Sequence, residues 1–257
     1  MERLSAPRAP LRAPRAPLAW RVARVEGVQV ETSHAKTLLL DVPEWPGHLA
    51  GQHVDIRLTA EDGYAAQRAY SIASPPEEPR LALTIERVDD GEVSVYLVDE
   101  LHAGDELELR GPIGGYFTWH VRDGGPLVLL AGGSGLVPLM AMLRHRAAHP
   151  DVTVDARLLV SARTWPDVLY RDELATCARD GVDVHYTLTR DAPDEWTGWT
   201  GRVDAAMLER VGMRDARDAR IFVCGPTGFV EHVADLLVGL GHDPRTVKTE
   251  RFGPTGG

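Results

Sequence analysis

The stretch Leu127-Val-Leu-Leu-Ala-Gly-Gly-Ser-Gly-Leu-Val-Pro-Leu-Met-Ala-Met142 decides the fold of this chain. Its continuous apolar run predicts a strand buried on both faces, and a helix is expected after the glycine turn. Glycines let a ligand approach the backbone closely, and a helix N-terminus offers free N–H groups to a pyrophosphate. A proline stands where the usual third glycine would be, and a glycine turn without a ligand is the alternative. The stretch nevertheless favours a dinucleotide site formed by Gly132, Gly133, Ser134, Gly135 and Pro138.

Two different patterns lie on either side of this loop. Residues 124–257 alternate apolar strands with helical segments, which predicts an α/β domain with a doubly wound parallel sheet. Residues 18–123 hold six short strands separated by turn residues, which predicts an antiparallel six-stranded β-barrel with one helical stretch near 93–101. The predicted strands are 20–31, 37–42, 52–58, 68–72, 80–86 and 106–109, then 126–131, 151–160, 183–189, 220–223 and 247–252, with helices near 137–146, 166–177, 203–208 and 228–240.

The choice of coenzyme is usually made at the end of the second parallel strand, where an acidic residue binds the ribose hydroxyls of NAD. The acid in that range, Asp155, falls early in the predicted strand, and the strand ends with Ser161 and Arg163. A hydroxyl and a guanidinium suit a 2′-phosphate better than a diol. The sequence therefore favours NADPH over NADH, with a solvated surface role for Arg163 as the alternative.

Composition and charge exclude several classes of function. The formal charge of −10 argues against a nucleic-acid-binding protein, which needs a basic face. Cys177 and Cys224 are too few for an iron–sulfur cluster or a disulfide framework, so no metal is expected and redox chemistry must use an organic cofactor. Since the chain has neither an apolar run of about 18 residues nor a signal-peptide pattern, a cytoplasmic protein without membrane insertion is expected. A monomer is also expected.

The N-terminal segment is basic, unlike the rest of the chain. Residues 1–17 are rich in Arg and Pro and are interpreted as a disordered arm. Residues 1–24 contain six arginines and one glutamate, which gives +5 and leaves −15 for the remainder. Such an arm would attract an acidic partner protein at low salt. An uninvolved extension or a misassigned start codon is the alternative.

A second group of motifs lies in the predicted barrel. Arg68-Ala-Tyr70-Ser71 places a cation and an aromatic ring on the same face of one strand, where the first neutralises a phosphate and the second packs along a flat ring. Three further segments accompany this motif and the glycine loop: Gly91-Glu-Val-Ser94 before the helical stretch, Gly111-Pro-Ile-Gly114 at the end of the barrel, and Cys224-Gly225-Pro226 after the fourth parallel strand.

In the order and spacing of these five motifs, the chain resembles the ferredoxin-NADP reductase family of FAD-dependent oxidoreductases over about residues 19–253. The resemblance implies an FAD-binding barrel followed by an NAD(P)-binding domain. Many relatives carry a fused plant-type ferredoxin domain with four cysteines. This chain has only two cysteines, so it is expected to use a separate acceptor.

The resemblance also implies roles for individual residues. Tyr70 would stack on the flavin and Ser71 would hydrogen-bond near its N5 atom. Cys224 would border the nicotinamide, with Glu250 near the flavin, and these four residues form the expected catalytic set. The expected cofactor-binding set adds Arg68, Gly91 and Ser94 for FAD, Gly225, Pro226 and the glycine loop for the coenzyme, and Phe252 beside the flavin.

Each of these residues has a structural alternative. Tyr70 is otherwise a core aromatic, Ser71 an ordinary strand residue and Cys224 a small buried apolar side chain. His53, in Gly51-Gln-His-Val, is interpreted as a hydrogen-bonded structural histidine rather than a flavin contact.

The function expected from the resemblance is an NAD(P)H-dependent flavin reductase. It takes a hydride from the nicotinamide and passes electrons singly to a separate protein, either a ferredoxin or an oxygenase component. Two alternatives stay open at this point. One is a reductase of free flavin, quinones or ferric chelates, and the other is a non-catalytic electron-transfer subunit of a larger complex.

Overall fold

The antiparallel half of the molecule is a six-stranded sheet closed into a barrel. A computed structural model describes residues 18–60, 62–213, 216 and 218–253, so the predicted arm at 1–17 lies outside the described residues. The strands pair in the order β4-β3-β6-β1-β2-β5, and a bridge between Ile72 and Leu83 joins the two edges. The strands are β1 (Arg21–Thr32), β2 (Ala35–Asp41), β3 (His53–Thr59), β4 (Ala65–Ser71), β5 (Leu81–Glu86) and β6 (Glu106–Ile113).

The barrel holds together because large apolar side chains from several strands meet inside it. Leu38, Leu40, Ile56, Leu83 and Leu109 are all fully buried in one cluster. Burial of one such side chain contributes about 1.5–3 kcal/mol. Helix α1 (Glu92–Val95) and a π-helical turn (Tyr96–Glu100) pack against this cluster.

The second half is a parallel sheet with the strand order β10-β9-β8-β7-β11-β12. All six residues of its strand β7 are buried, as a strand covered on both faces requires. The strands are β7 (Leu127–Gly132), β8 (Ala156–Ala162), β9 (Val182–Leu188), β10 (Trp199–Thr200), β11 (Arg220–Pro226) and β12 (Val247–Phe252). The helices are α2 (Leu136–Ala147), α3 (Arg171–Arg179), α4 (Ala205–Arg210) and α5 (Thr227–Gly239).

The predicted fold class is confirmed, while several predicted elements are shifted. The helix expected near 166–177 is split into a 3₁₀ turn, Trp165–Asp167, and α3, because Tyr170 lies in the left-handed region with a φ of 55°. Strand β8 begins only at Ala156, five residues after the predicted start. Strand β10, two residues long, was not predicted, since so short an edge strand has no periodic pattern.

The two halves meet along a seam of polar contacts that are partly or fully buried. Arg144 donates one hydrogen bond to the carbonyl oxygen of Ala73 at 2.7 Å and two more to the Glu173 carboxylate at 2.7 and 2.6 Å. Its guanidinium also lies over the ring of Tyr170, whose hydroxyl donates to Thr84 Oγ1 of the barrel. This seam fixes the C-terminal part of α2 and the start of α3 against β5 and the segment that follows β4.

Candidate cofactor and redox site

A cavity of about 640 Å³ opens at the carboxyl edge of the parallel sheet, where ligands of this fold class bind. Seven of its lining residues are the last residues of parallel strands or the first to follow them. The barrel contributes the opposite wall through the β1–β2 hairpin and the end of β5. The lining includes Gly132, Gly133, Ser134, Ser161, Arg163, Pro226 and Phe252 from the predicted set, together with Thr32, His34, Glu86, Arg202 and Phe229.

The glycine loop packs so tightly that side chains have no room at two positions. A Cβ on Gly135 would lie 2.1 Å from the carbonyl oxygen of Cys224, and one on Gly132 would lie 2.7 Å from the ring of Phe229. Gly225 also faces Phe229, with a Cβ position 2.7 Å from the same ring. The loop and the Cys224–Pro226 segment are therefore one packed unit, and buried Pro138 lies in the first turn of the helix that follows it.

On β4, the motif residues differ in exposure. Arg68 is exposed, and its guanidinium donates to the carbonyl oxygen of Gln67 at 2.7 Å. None of the described carboxylates pairs with it. Burial raises the pKa of Tyr70 to about 12, so its hydroxyl stays protonated while the ring packs against the barrel core. The strand thus presents a free cation beside an aromatic ring.

A cluster of polar side chains connects the two halves at this point. Ser71 pairs with His53 across β4 and β3, and Glu250 pairs with Cys224 across β12 and β11. The Nδ1 atom of His53 lies 3.7 Å from Glu250 Oε1, and no described residue hydrogen-bonds the His53 ring. His53 therefore belongs to this cluster, and the interpretation of it as a structural histidine stays a prediction. The structure brings together three of the four expected catalytic residues, Ser71, Cys224 and Glu250, and Tyr70 adjoins Ser71 in sequence.

Burial sets the protonation of the cluster. It raises the pKa of Glu250 to about 7 and lowers the pKa of His53. The second carboxyl oxygen of Glu250 is buried without a hydrogen-bond partner among the described residues. Near neutral pH, Glu250 therefore holds or releases a proton beside a neutral imidazole.

Cys224 contributes a neutral thiol. Its side chain is 1% exposed, and burial raises its thiol pKa well above the ordinary value. A thiolate nucleophile needs the opposite shift. The expected contact between Cys224 and a nicotinamide stays a prediction, and a neutral thiol is compatible with it.

The expected pyrophosphate contact of Ser94 also stays a prediction, and the structure gives its hydroxyl a local role. The hydroxyl accepts a hydrogen bond from the Val88 amide at 3.1 Å and donates to the Gly91 carbonyl at 3.3 Å. A Cβ on Gly91 would lie 2.5 Å from this oxygen. The pair therefore holds the turn after β5.

Sequence reasoning missed two contributors to the site. Phe229 follows the Cys224–Pro226 motif, and its ring explains why Gly132 and Gly225 carry no side chain. Glu86 ends β5 and reaches the cavity wall. Neither residue lies in a motif that predicts a ligand, and each reaches the site only through a packing contact distant in sequence.

The residues at the junction of the two halves fit FAD together with a nicotinamide coenzyme. Three observations support this fit: the Arg68 cation without a carboxylate partner, the buried Glu250 oxygen without a hydrogen bond, and the open position of Gly133 on the cavity wall, where a Cβ would meet no protein atom within 4 Å. Unpaired buried polar atoms are rare in proteins and indicate a missing partner. Arg68 would hold the FAD pyrophosphate, and the glycine loop would admit the coenzyme.

Comparisons with known proteins agree with this assignment. The oxidoreductase FAD-binding domain model matches residues 24–118, and the oxidoreductase NAD-binding domain model matches residues 129–235. Both matches lie within the corresponding halves of the structure.

Three similar proteins are informative. The glycine betaine monooxygenase reductase subunit of Pseudomonas aeruginosa is 36% identical over 209 residues, and the match covers 80% of this chain and 56% of that protein. The chain thus spans just over half the length of this relative. Ferredoxin–NADP reductase B of Sorangium cellulosum is 36% identical over 211 residues, covering 79% of this chain and 84% of that protein.

The third is a solved structure, the cytochrome P450 reductase GcoB of Amycolatopsis. It superposes with a TM-score of 0.78 at 31% identity, covering 93% of this chain and 71% of that one. Both domains match their models in order, and two relatives exceed 30% identity over most of their own length. The resemblance read from the motifs is therefore confirmed: the chain belongs to the ferredoxin-NADP reductase family of FAD- and NAD(P)-binding oxidoreductases.

Proposed function

We propose that this oxidoreductase takes a hydride from NADPH or NADH and passes the electrons singly to a separate protein, an oxygenase component or a ferredoxin. The proposal rests on the junction at which Ser71 of the barrel meets Glu250 and Cys224 of the parallel sheet, beside the cavity. Two of the similar proteins are named as reductases of a monooxygenase and of a cytochrome P450, which supports the class of acceptor.

The chain's own residues bind and orient the reactants rather than provide an acid–base pair, which a hydride transfer does not require. When bound, FAD accepts two electrons with a hydride and releases them one at a time. Arg68 supplies the phosphate charge, Tyr70 an apolar ring, and Glu250 a proton near pH 7. Gly133, on the cavity wall with no protein atom within 4 Å of its Cβ position, would let a dinucleotide approach the backbone.

The first prediction is that the purified protein is yellow, with FAD bound noncovalently, and loses its colour under anaerobic NADPH or NADH. The free Arg68 cation and the buried Glu250 oxygen are the physical reasons to expect the flavin. Absorbance spectra before and after addition of coenzyme check the prediction. A protein that remains colourless after incubation with excess FAD would contradict the proposed function.

The acceptor is tested separately. The steady-state rate of NAD(P)H oxidation is measured with a purified ferredoxin or oxygenase component, and then with free FMN, a quinone and a ferric chelate. Saturation at micromolar protein acceptor, with slower turnover of the small acceptors, supports the proposal. Faster turnover of the small acceptors favours a reductase of diffusible molecules, and no turnover of either favours a non-catalytic subunit.

Glu250 gives a second prediction, on stability. Its pKa is about 7 in the folded protein against 4.5 ordinarily. The protonated carboxyl group therefore contributes its full share to the free energy of unfolding below about pH 4.5, and this contribution is lost as the pH rises through 7. In flavin-free protein, the free energy of unfolding of Glu250→Gln should therefore rise relative to that of wild type by about 2–3 kcal/mol as the pH increases from 5 to 8. Urea unfolding at both pH values measures this gain. Exposed Glu231→Gln is the control. A constant difference between Glu250→Gln and wild type would refute the burial argument.

As the sequence predicts, we take the working form to be a cytoplasmic monomer, and sedimentation of the purified protein tests the monomer. Among the described residues, no helix has the length and apolar character needed to span a bilayer.

A further inference from the structure

The acid that the second parallel strand lacks is supplied from the other half of the molecule. Glu86, the last residue of β5 in the barrel, reaches the cavity wall beside Ser161 and Arg163. Its Oε1 atom lies 3.3 Å from Nη2 of Arg163. The carboxylate and the guanidinium therefore meet at the end of β8, where the adenosine ribose of a dinucleotide is read in this fold class.

Glu86 differs from the other acid that lines the cavity. The carboxylate of Asp167 accepts hydrogen bonds from the amide and the hydroxyl of Thr164, at 3.1 and 2.8 Å, and so closes a local turn. Among the contacts of the described residues, the Glu86 side chain has one partner, Arg163. Its other oxygen is available to a ligand.

NADH and NADPH differ at this ribose only. NADH presents a 2′-hydroxyl, which a carboxylate accepts as a hydrogen-bond donor, whereas NADPH presents a phosphate that the same carboxylate repels. Arg163 would favour the phosphate if it were free. In this structure its charge is shared with Glu86, so a 2′-phosphate must compete with that carboxylate for the guanidinium.

We propose that Glu86 is a specificity-determining residue, through which the barrel domain takes part in the choice of coenzyme and disfavours a 2′-phosphate. The inference rests on the proposed function, because it assumes that the cavity receives NAD(P)H. It also opposes the preference for NADPH that Ser161 and Arg163 alone predict. The second cation on the cavity wall, Arg202, does not contact Glu86 in the described contacts.

The test measures binding, independently of catalysis. Calorimetric titrations use AMP and 2′,5′-ADP, which differ by the 2′-phosphate alone, on the flavin-loaded wild type, Glu86→Gln and Arg163→Ala. The control Glu78→Gln removes an exposed barrel carboxylate outside the cavity. We expect Glu86→Gln to tighten 2′,5′-ADP binding about fivefold to tenfold relative to AMP, since it removes the repulsion and frees Arg163. Arg163→Ala should weaken 2′,5′-ADP binding, and Glu78→Gln should leave the ratio unchanged.

Two results would overturn the inference. One is an unchanged ratio of the two affinities in Glu86→Gln, and the other is an equal rise in Glu78→Gln, which would reveal a general effect of net charge. Stopped-flow reduction of the flavin by NADH and NADPH provides the second readout, and the NADPH to NADH ratio of kcat/KM should rise in Glu86→Gln. If no variant reduces the flavin with either coenzyme while both probes still bind, the proposed function fails and the inference about Glu86 is judged on binding alone.

Discussion

Gly135→Ala is expected to lower the melting temperature by about 6–12 °C and to slow flavin reduction by NAD(P)H more than tenfold. The reason is space rather than backbone strain, because the φ of Gly135 is −59°, which any residue adopts. A Cβ there would lie 2.1 Å from the Cys224 carbonyl oxygen and 2.7 Å from the Gly225 amide nitrogen. Strand β11 is paired on both sides, with β7 and β12, and cannot move away. Overpacking against fixed backbone costs about 3 kcal/mol, and each kilocalorie is about 2–4 °C in a chain of this size.

Gly228→Ala is the matched control for this substitution. Gly228 also lines the cavity, yet a Cβ there would meet nothing within 4 Å, and its helical position favours alanine by about 0.5–1 kcal/mol. Calorimetric melting of the flavin-loaded proteins and stopped-flow flavin reduction provide the two measurements. If Gly135→Ala melts at the temperature of Gly228→Ala, the tight contact with Cys224 does not exist in solution.

Arg68→Ala is expected to weaken FAD binding about 10-fold to 100-fold, while Ser71→Ala keeps FAD and slows hydride transfer. A charge-assisted hydrogen bond to phosphate contributes about 1.5–3 kcal/mol, and Arg68 has no carboxylate that shares its charge among the described residues. Ser71 instead lies at the junction with His53, so its removal affects the reacting end of the flavin.

Gln67→Ala serves as the control, because Gln67 is exposed on the same strand but on its other face. Fluorescence titration of the flavin-free protein measures FAD affinity, and stopped-flow absorbance measures the rate of reduction. Unchanged FAD affinity in Arg68→Ala would remove its assignment to the pyrophosphate. Flavin reduction at the wild-type rate in Ser71→Ala would likewise remove the role given to that hydroxyl.

The parts of the fold that the sequence predicted are those with local signals. The last strand is predicted at residues 247–252, and β12 spans that same range. The glycine loop predicted the turn between β7 and α2 because glycine, a buried apolar strand and a helix follow one another within sixteen residues. The break before α3 was missed because nothing in the local pattern predicts a left-handed tyrosine at position 170.

The candidate site was predictable in its motifs but not in its pairings. Arg68 and Ser71 were found through the strand pattern, yet the approach of His53 to Glu250 joins residues from different halves of the chain. The same holds for Glu86 and Arg163, whose contact depends on how the barrel packs against the parallel sheet. Such contacts depend on the three-dimensional packing, and no periodicity in the sequence encodes them.

The seam at Arg144 limits how this reductase can be recombined with its relatives. A chimaera that joins the barrel to an α/β domain from another protein would exchange one side of a hydrogen-bonded set whose members come from both halves. Thr84 and the Ala73 carbonyl would stay, while Tyr170, Arg144 and Glu173 would change. A donor without an arginine at the position of Arg144 would leave the Ala73 carbonyl oxygen without its hydrogen bond, at a cost of about 1–3 kcal/mol. Domain shuffling at the boundary is therefore expected to succeed where the donor α/β domain carries counterparts of Arg144, Tyr170 and Glu173.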